Sequence, residues 1–403
     1  MKKQLLWISL CPVSKSINHA GGKALYKHIK AFQESELFEI KIISFCDENE
    51  LNELRLEPQI DNLIINTKRN LIEKIIDIES KYNLFNKNAS YIKNSQYIKM
   101  KRSIKQIERQ GYIPDIVILN WTEMLALAAF VKKIFPKSKL VMIEEDVSFL
   151  KRERAFKNAD KVIEKIFYKV RYIRGKKKEI EWINYADLVA TYSNKDAYLL
   201  EKENIPKSKI FVFSPVFSDM SYLTHKEENQ NILFWGAMSR RENYLSAIWF
   251  INNVMPLLND LNIKFVIIGA NPPSELQALG NNRIVITGFV KEPAIYFKTG
   301  MCMVVPLIQG AGIKIKVLEG LSSGIPVISN AIGIEGIGVG NSEYIHAETP
   351  EEFSDAIKKI YYKKEDVKSL SDSAQKYIKR NFNELESIET FIEKVKGDDF
   401  GID

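Results

Sequence analysis

Residues 307–330 read LIQGAGIKIKVLEGLSSGIPVISN, with glycines at 310, 312, 320 and 324, lysines at 314 and 316, and one acid, Glu319. The apolar run CMVVPLI leads into this stretch and IPVIS closes it. Short unbroken apolar runs of this kind suit strands buried on both faces. The stretch between them then reads as a strand end near Leu307, a Gly-rich turn, and a helix beginning near Ile313. Residues three apart share a helix face, so Lys316 and Glu319 lie together. Free amides at Gly312, Ile313 and Lys314, beside a lysine, suit a phosphate or diphosphate. A carboxylate one turn further on suits the paired hydroxyls of a sugar. Two readings stay open on these residues alone. The loop is either a clamp for a nucleotide sugar or a turn that lets a helix pack closely while its lysines face solvent.

The chain has 403 residues, enough for two domains of roughly 150–200 residues each. A hydrophobic share of 45% and a charged share of 27% are those of a soluble globular protein. No apolar stretch approaches the roughly 20 residues needed to span a bilayer. MKKQLLWISLCPV has only a short apolar run and leads into a Gly-Gly loop, so it reads as a first buried strand and not as a signal peptide. Cysteines at 11, 46 and 302 lack ligand-like spacing and suit reduced thiols of a cytosolic protein. Histidines at 19, 28, 225 and 346 are too few and too scattered for a histidine metal site, and there is no Asp-x-Asp pair. No metal or cofactor is expected, and the net charge of +7 is modest for the length.

Working outward, strand-like runs alternate with helices. LLWISL, EIKIISF, PDIVILN, KLVMIEE, DLVATYS and KIFVFS make one set, with Gly21-Gly22 as a turn before a helix from about Lys23 to Ser35. The polar linker HKEENQN (225–231) separates them from NILFWGAM, KFVIIGA, RIVITGF, MCMVVPL, IPVISN and SEYIHAE. Such alternation predicts α/β architecture with two Rossmann-like domains facing a central cleft. Two basic segments interrupt the rhythm. Residues 83–110 hold seven Lys or Arg against Glu108, and residues 149–182 hold twelve against five acids, with Val162, Ile166, Phe167 and Val170 at helical spacing. The latter reads either as a solvated helix face or as a helix resting on an anionic membrane or charged lipid-linked acceptor. Neither segment interleaves aromatics as a nucleic-acid module would, so no nucleic-acid partner is expected.

Ligands of open α/β sheets sit beyond the carboxyl ends of strands. Three loops there carry chemistry: SINHAGGKALYKHI with Gly21 and Gly22, GAMSRRENY with Gly236, Arg240 and Arg241, and the opening stretch with Gly310 and Gly312. His19 is a candidate catalytic group, with a structural hydrogen-bonding role as its alternative. Glu145 and Asp146 end a buried strand and are candidate catalytic acids, with a helix cap by Asp146 as the alternative. Trp235 and Trp249 read as core.

Taken in order, NILFWGAMSRRENYLSAIWFINNVMPLL, KFVIIGANPP, VITGFV and MVVPLIQGAGIKIKVLEGLSSGIPVISN resemble the retaining glycosyltransferases of family 4, the group 1 glycosyltransferases of GT-B architecture. PDIVILN and INYADLVATYSNKDAYLL are similar more weakly. The resemblance implies an acceptor-binding domain over 1–222, a nucleotide-sugar-binding domain over 223–384, and a last helix, 385–403, packed back on the first. It implies that Glu319 binds the donor ribose, that Gly312–Lys314 and Lys316 hold the diphosphate, and that Arg240 or Arg241 lies near the phosphates. Gly21 and Gly22 would close over the donor. The implied activity is metal-independent hexosyl transfer, with retention, to a saccharide or lipid-linked acceptor in bacterial cell-surface polysaccharide or glycoconjugate synthesis. The expected location is cytoplasmic, and peripheral at the inner membrane face if the basic segment 149–182 meets lipid and not solvent. Other readings are a non-catalytic partner subunit of another transferase and a GT-B nucleotide-sugar epimerase. The sequence departs from the family twice: Ala311 stands where a first acid is common, and Asn120-Trp121-Thr122 follows the middle strand where a histidine is expected.

Overall fold

The computed structural model describes residues 2–15, 17, 20–47, 51, 61–82, 88–159 and 161–397. The chain forms two compact units, Met1–Ser214 with Glu384–Asp403, and Pro215–Asn383.

The first unit is built on a seven-stranded sheet in the order β3-β2-β1-β4-β5-β6-β7. Its strands are β1 (Lys3–Ser9), β2 (Phe38–Cys46), β3 (Asp61–Asn66), β4 (Ile116–Asn120), β5 (Lys139–Glu144), β6 (Leu188–Thr191) and β7 (Ile210–Val212). Every pairing is parallel. The central runs IVILN and LVAT are buried at every residue, as strands covered on both faces must be. Strand order reverses between β1 and β4, which places the unit's crevice at the carboxyl ends of those strands. Helices α1 (Ala20–Glu34), α2 (Leu71–Tyr82), α3 (Asn94–Arg109), α4 (Ala128–Ile134), α5 (Ser148–Lys157), α6 (Val162–Ile183) and α7 (Asn194–Lys202) join the strands.

Two features of this unit differ from the sequence expectation. DNLIIN forms the edge strand β3, which the sequence reading passed over; it begins with Asp61 and Asn62, and only Ile65 is buried. Gly21 and Gly22 do not form a turn but lie in the first turn of α1. A Cβ on Gly21 would meet the Trp121 ring at 3.0 Å, so the residue there must be small for helix and indole to pack.

The second unit holds a six-stranded parallel sheet in the order β10-β9-β8-β11-β12-β13. Its strands are β8 (Asn231–Trp235), β9 (Lys264–Ile268), β10 (Ile284–Gly288), β11 (Cys302–Val305), β12 (Val327–Ser329) and β13 (Ile345–His346). Its helices are α8 (Arg241–Asn253), α9 (Ser274–Gln277), α10 (Ala294–Thr299), α11 (Ile315–Ser323), α12 (Ala331–Ile334), α13 (Pro350–Tyr361) and α14 (Val367–Asn381). Phe234, Phe250, Phe265, Phe297 and Phe353 are fully buried in its core. The order reverses between β8 and β11, so the loops that follow these strands spring from adjacent strand ends.

The last helix, α15 (Glu384–Lys396), belongs to the first unit. Phe391 packs 5.8 Å from Phe32 of α1 and 4.7 Å from Phe213 by ring centroids. Lys27 pairs with Glu384 at 2.8 Å. Lys3 donates to the Lys396 carbonyl at 2.7 Å and Lys139 to that of Lys394 at 2.7 Å. Lysines on the terminal carbonyls satisfy acceptors the helix leaves open and complement its dipole.

Candidate functional site

In the second unit the site grows from the two loops at the switch point. After β8 the chain turns at Gly236 and enters α8 with Arg240 as its N-cap residue. After β11 it runs through Gly310 and Gly312 into α11, whose N-cap is Lys314. The helix thus starts two residues later than the sequence suggested. Lys316 and Glu319 still fall on successive turns of one face.

Lys316 reaches back to the β8 loop. Its ammonium donates to Asn243 Oδ1 at 2.5 Å and lies 4.8 Å from the centroid of the Phe234 ring. Asn243 in turn donates to the Ala237 carbonyl at 2.8 Å, which ties α8, the Gly236 loop and α11 together. A Cβ on Gly236 would lie 3.3 Å from the Lys316 ammonium and 2.9 Å from Asn243 Nδ2. Burial pulls the Lys316 pKa down to about 7, with the Lys314 and Arg240 charges adding to the effect and Glu242 opposing it. A lysine whose pKa is lowered by burial is one that a neighbouring anion would return to its charged form.

Glu319 is buried, and Trp235 at the end of β8 donates its indole N–H to Oε2 at 2.6 Å. The Ser218 amide approaches Oε1 at 3.4 Å. Trp235 is therefore more than core: it orients the carboxylate, a role the sequence reading did not assign. Lys314 bends onto its own loop, donating to the Gly312 carbonyl and to that of Ala311 at 3.2 Å. This leaves Lys316 as the lysine aimed between the two loops. Arg240 and Arg241 are exposed, and Arg240 lies 3.5 Å from Glu242. Gly310 has φ +149°, and Ile313 is half-buried just ahead of the helix.

In the first unit, polar groups collect at the ends of β4 and β5. Trp7 donates to Asn120 Oδ1 at 3.3 Å, and Asn120 Nδ2 donates to Glu145 Oε1 at 3.2 Å. Trp121 has φ 78°, a left-handed conformation that a bulky side chain adopts only when the surroundings impose it. Its indole also bonds to Glu145. Burial first, then the Asp146 charge, push the Glu145 pKa up to about 8, which favours its protonated form. Asp146 is half-buried and is not the cap of α5, whose N-cap is Val147. His19 lies outside the described residues.

Behind this surface is a carboxyl pair that the sequence reading missed. Glu144 and Glu179 are both fully buried. The Thr122 hydroxyl bonds to Glu144 Oε1 at 2.9 Å, and the Tyr91 hydroxyl donates to Glu179 Oε2. Arg152 lies over the Tyr91 ring at 3.6 Å. Burial, then the neighbouring Glu179 charge, hold Glu144 well above the usual carboxylate range, and burial lifts Glu179 to about 7. Both carboxyls are thus held toward the protonated form under the strand end that carries Glu145. Sequence gave no direct signal, since Glu179 follows three lysines on a helix that reads as a solvated face.

Two parallel-sheet Rossmann-like units of this kind are those of GT-B glycosyltransferases. Residues 229–363, which include Lys316, Glu319 and Trp235, match the family model "Glycosyl transferases group 1". Over its whole length the chain is similar in structure to TarM of S. aureus (TM-score 0.70, 10% identity, 98% of this chain and 99% of that one). It is similar to Anabaena Alr3699/HepE in complex with UDP (TM-score 0.66, 13% identity, 98% and 99%). It is also similar to a glycosyltransferase of Rickettsia africae ESF-5 (TM-score 0.63, 16% identity, 99% and 100%). In sequence it is 26% identical over 223 residues to an uncharacterized 44.6 kDa protein in the cps region of Klebsiella pneumoniae. That match spans 52% of this chain and 55% of the relative, about half of each.

Proposed function

We propose that the chain is a glycosyltransferase that takes a sugar from a nucleoside-diphosphate donor held by the second unit. The observation that carries the reading is Lys316, an ammonium with a pKa near 7 that sits between two glycine-bearing strand-end loops, one turn from a carboxylate oriented by Trp235. The diphosphate would lie against the first turn of α11 and Lys316, with Arg240 or Arg241 adding charge from the facing loop. Glu319 would accept from the ribose hydroxyls, exchanging its Ser218 contact while keeping the Trp235 bond.

Transfer is proposed to proceed with retention and without a metal. In that scheme the bond from the anomeric carbon to the leaving phosphate breaks and the acceptor oxygen bonds to that carbon on the same face. The departing phosphate takes the acceptor's proton. Lys316 and the α11 amides stabilise the charge that builds on the leaving group. The acceptor, a saccharide or lipid-linked saccharide, would meet Asn120, Glu145 and Asp146 of the first unit. The Klebsiella relative's cps location supports a place in cell-surface polysaccharide synthesis.

A panel of nucleotide sugars scored by protection against thermal unfolding tests this reading. One donor should protect the wild type. Lys316→Ala and Glu319→Ala should each lose that protection and the transferase activity while keeping the unliganded unfolding temperature within a few degrees. Full activity in both variants would overturn the assignment. Trp235→Phe, which keeps an aromatic side chain but removes the indole N–H, should raise donor KM with a smaller effect on kcat.

A further inference from the structure

Helix α6 is 22 residues long, yet its buried residues are Gly175, Glu179, Trp182 and Ile183, all in its second half. From Val162 to Arg174 no residue is buried, and Val162, Ile163, Ile166 and Ile173 are 54–83% exposed. Positions 162, 166 and 173 fall on one line of a helix, with 163 beside them. Between Lys161 and Lys178 the chain carries eight Lys or Arg and one acid, Glu164.

Helix α2 shows the same arrangement more sharply. Two of its acids face the protein: Asp77 is buried and accepts from the Ser95 amide at 3.0 Å, and Glu73 pairs with Lys99 at 3.1 Å. Its apolar stripe, Leu71, Ile72, Ile75 and Ile78, faces outward at 60–77% exposure beside exposed Lys68, Arg69 and Lys74. An amphipathic helix normally turns these faces the other way. Contacts run from α2 to α3, from α3 to α4 and from α4 to α6, so both helices belong to one layer on one side of the sheet. The charge of the whole chain is also concentrated here. The first unit has 41 Lys or Arg against 34 acids, and the second has 17 of each.

We infer that this helical layer is a docking surface for an anionic lipid bilayer. Apolar residues ringed by lysines match an interface in which isoleucines enter the acyl boundary and ammonium groups meet phosphate headgroups. A protein partner would more often meet apolar surface with a charge-depleted centre, not one threaded with lysines. Among the described residues no helix is long and apolar enough to cross a membrane, so attachment would be peripheral and reversible. Lipid docking would hold whether or not the second unit binds a nucleotide sugar.

Sedimentation of the full chain with vesicles tests the inference. Phosphatidylcholine vesicles containing phosphatidylglycerol should bind it, phosphatidylcholine alone should bind it far less, and raising the salt from about 0.1 to 1 M should release most of it, because screening shortens to roughly 3 Å. Ile163→Ser with Ile166→Ser, and separately Ile72→Ser with Ile75→Ser, should each weaken binding roughly tenfold. Lys165→Glu with Lys169→Glu should remove the preference for anionic lipid. All three variants should keep the wild-type unfolding temperature and the wild-type response to nucleotide sugars. Absence of vesicle binding by the wild type overturns the inference. So does a stable dimer that Ile163→Ser with Ile166→Ser converts to monomer while lipid binding is unchanged.

Discussion

Burial of the Lys316 ammonium, 2.5 Å from an amide oxygen and over a phenyl ring, pulls its pKa down to about 7, because the Glu242 and Glu319 charges only partly offset the lost solvent. The unfolded chain keeps that proton up to about 10.5, so between about 7 and 10.5 it binds more protons than the folded one, and stability rises with pH across that window. Lys316→Met should flatten the slope in thermal melts between about pH 7 and 9. Glu179 has the opposite sign. Its folded value of about 7 lies above its ordinary 4.5, so the folded protein holds a proton that the unfolded chain sheds, and stability falls as pH rises from 4.5 to 7. Glu179→Gln, which keeps the Tyr91 contact and removes the charge, should make the unfolding temperature less dependent on pH over that range. A variant that melts with the wild-type pH profile would show that Glu179 is not held above its ordinary range. At this scale the legible residues were those just past strand ends: Lys316 and Glu319 in the first turns of α11, and Glu145 directly after β5. Glu144, Glu179 and Asn243 act through partners 35, 35 and 73 positions away, a kind of proximity that periodicity does not encode.

At the scale of elements, the buried parallel strands announced themselves through unbroken apolar runs. What escaped was the edge: β3 alternates poorly because, among the described residues, it pairs on one side only, and its ends are Asp61 and Asn66. The Gly21-Gly22 pair misled for a related reason. Glycine is commonest where φ is positive, but here it sits inside α1 because Trp121 leaves no room for a Cβ. Gly21→Ala should therefore destabilise the first unit modestly, by about 1–3 kcal/mol of overpacking. Helix α15 shows how a terminal segment is held: Phe391 fills a cluster with Phe32, Phe211 and Phe213. Phe391→Ala should cost about 3–5 kcal/mol in the first unit, read as a lowered denaturant midpoint. An unchanged midpoint would mean that the helix contributes nothing to the stability of the unit.

For the whole molecule, two α/β units could be read from the alternation of strands and helices, although the units divide at Ser214/Pro215 and the polar run 225–231 lies inside the second one; both sheets reverse order where the candidate residues lie. Charge is divided as the structure is. The unit with Asn120 and Glu145 carries the entire net positive charge, and the unit with Lys316 and Glu319 is balanced. That division suits a protein in which one half meets anionic surface and acceptor while the other holds a small charged donor. The central claim is that Lys316 and the first turn of α11 hold the diphosphate. Titration calorimetry with UDP, GDP and ADP at about pH 8.5, repeated in buffers of different ionisation enthalpy, measures it directly. The account predicts that one nucleotide binds with uptake of close to one proton, and that Lys316→Met weakens binding at least tenfold and abolishes the uptake. Wild-type affinity in Lys316→Met, or binding of the nucleotide with no proton taken up, would contradict it.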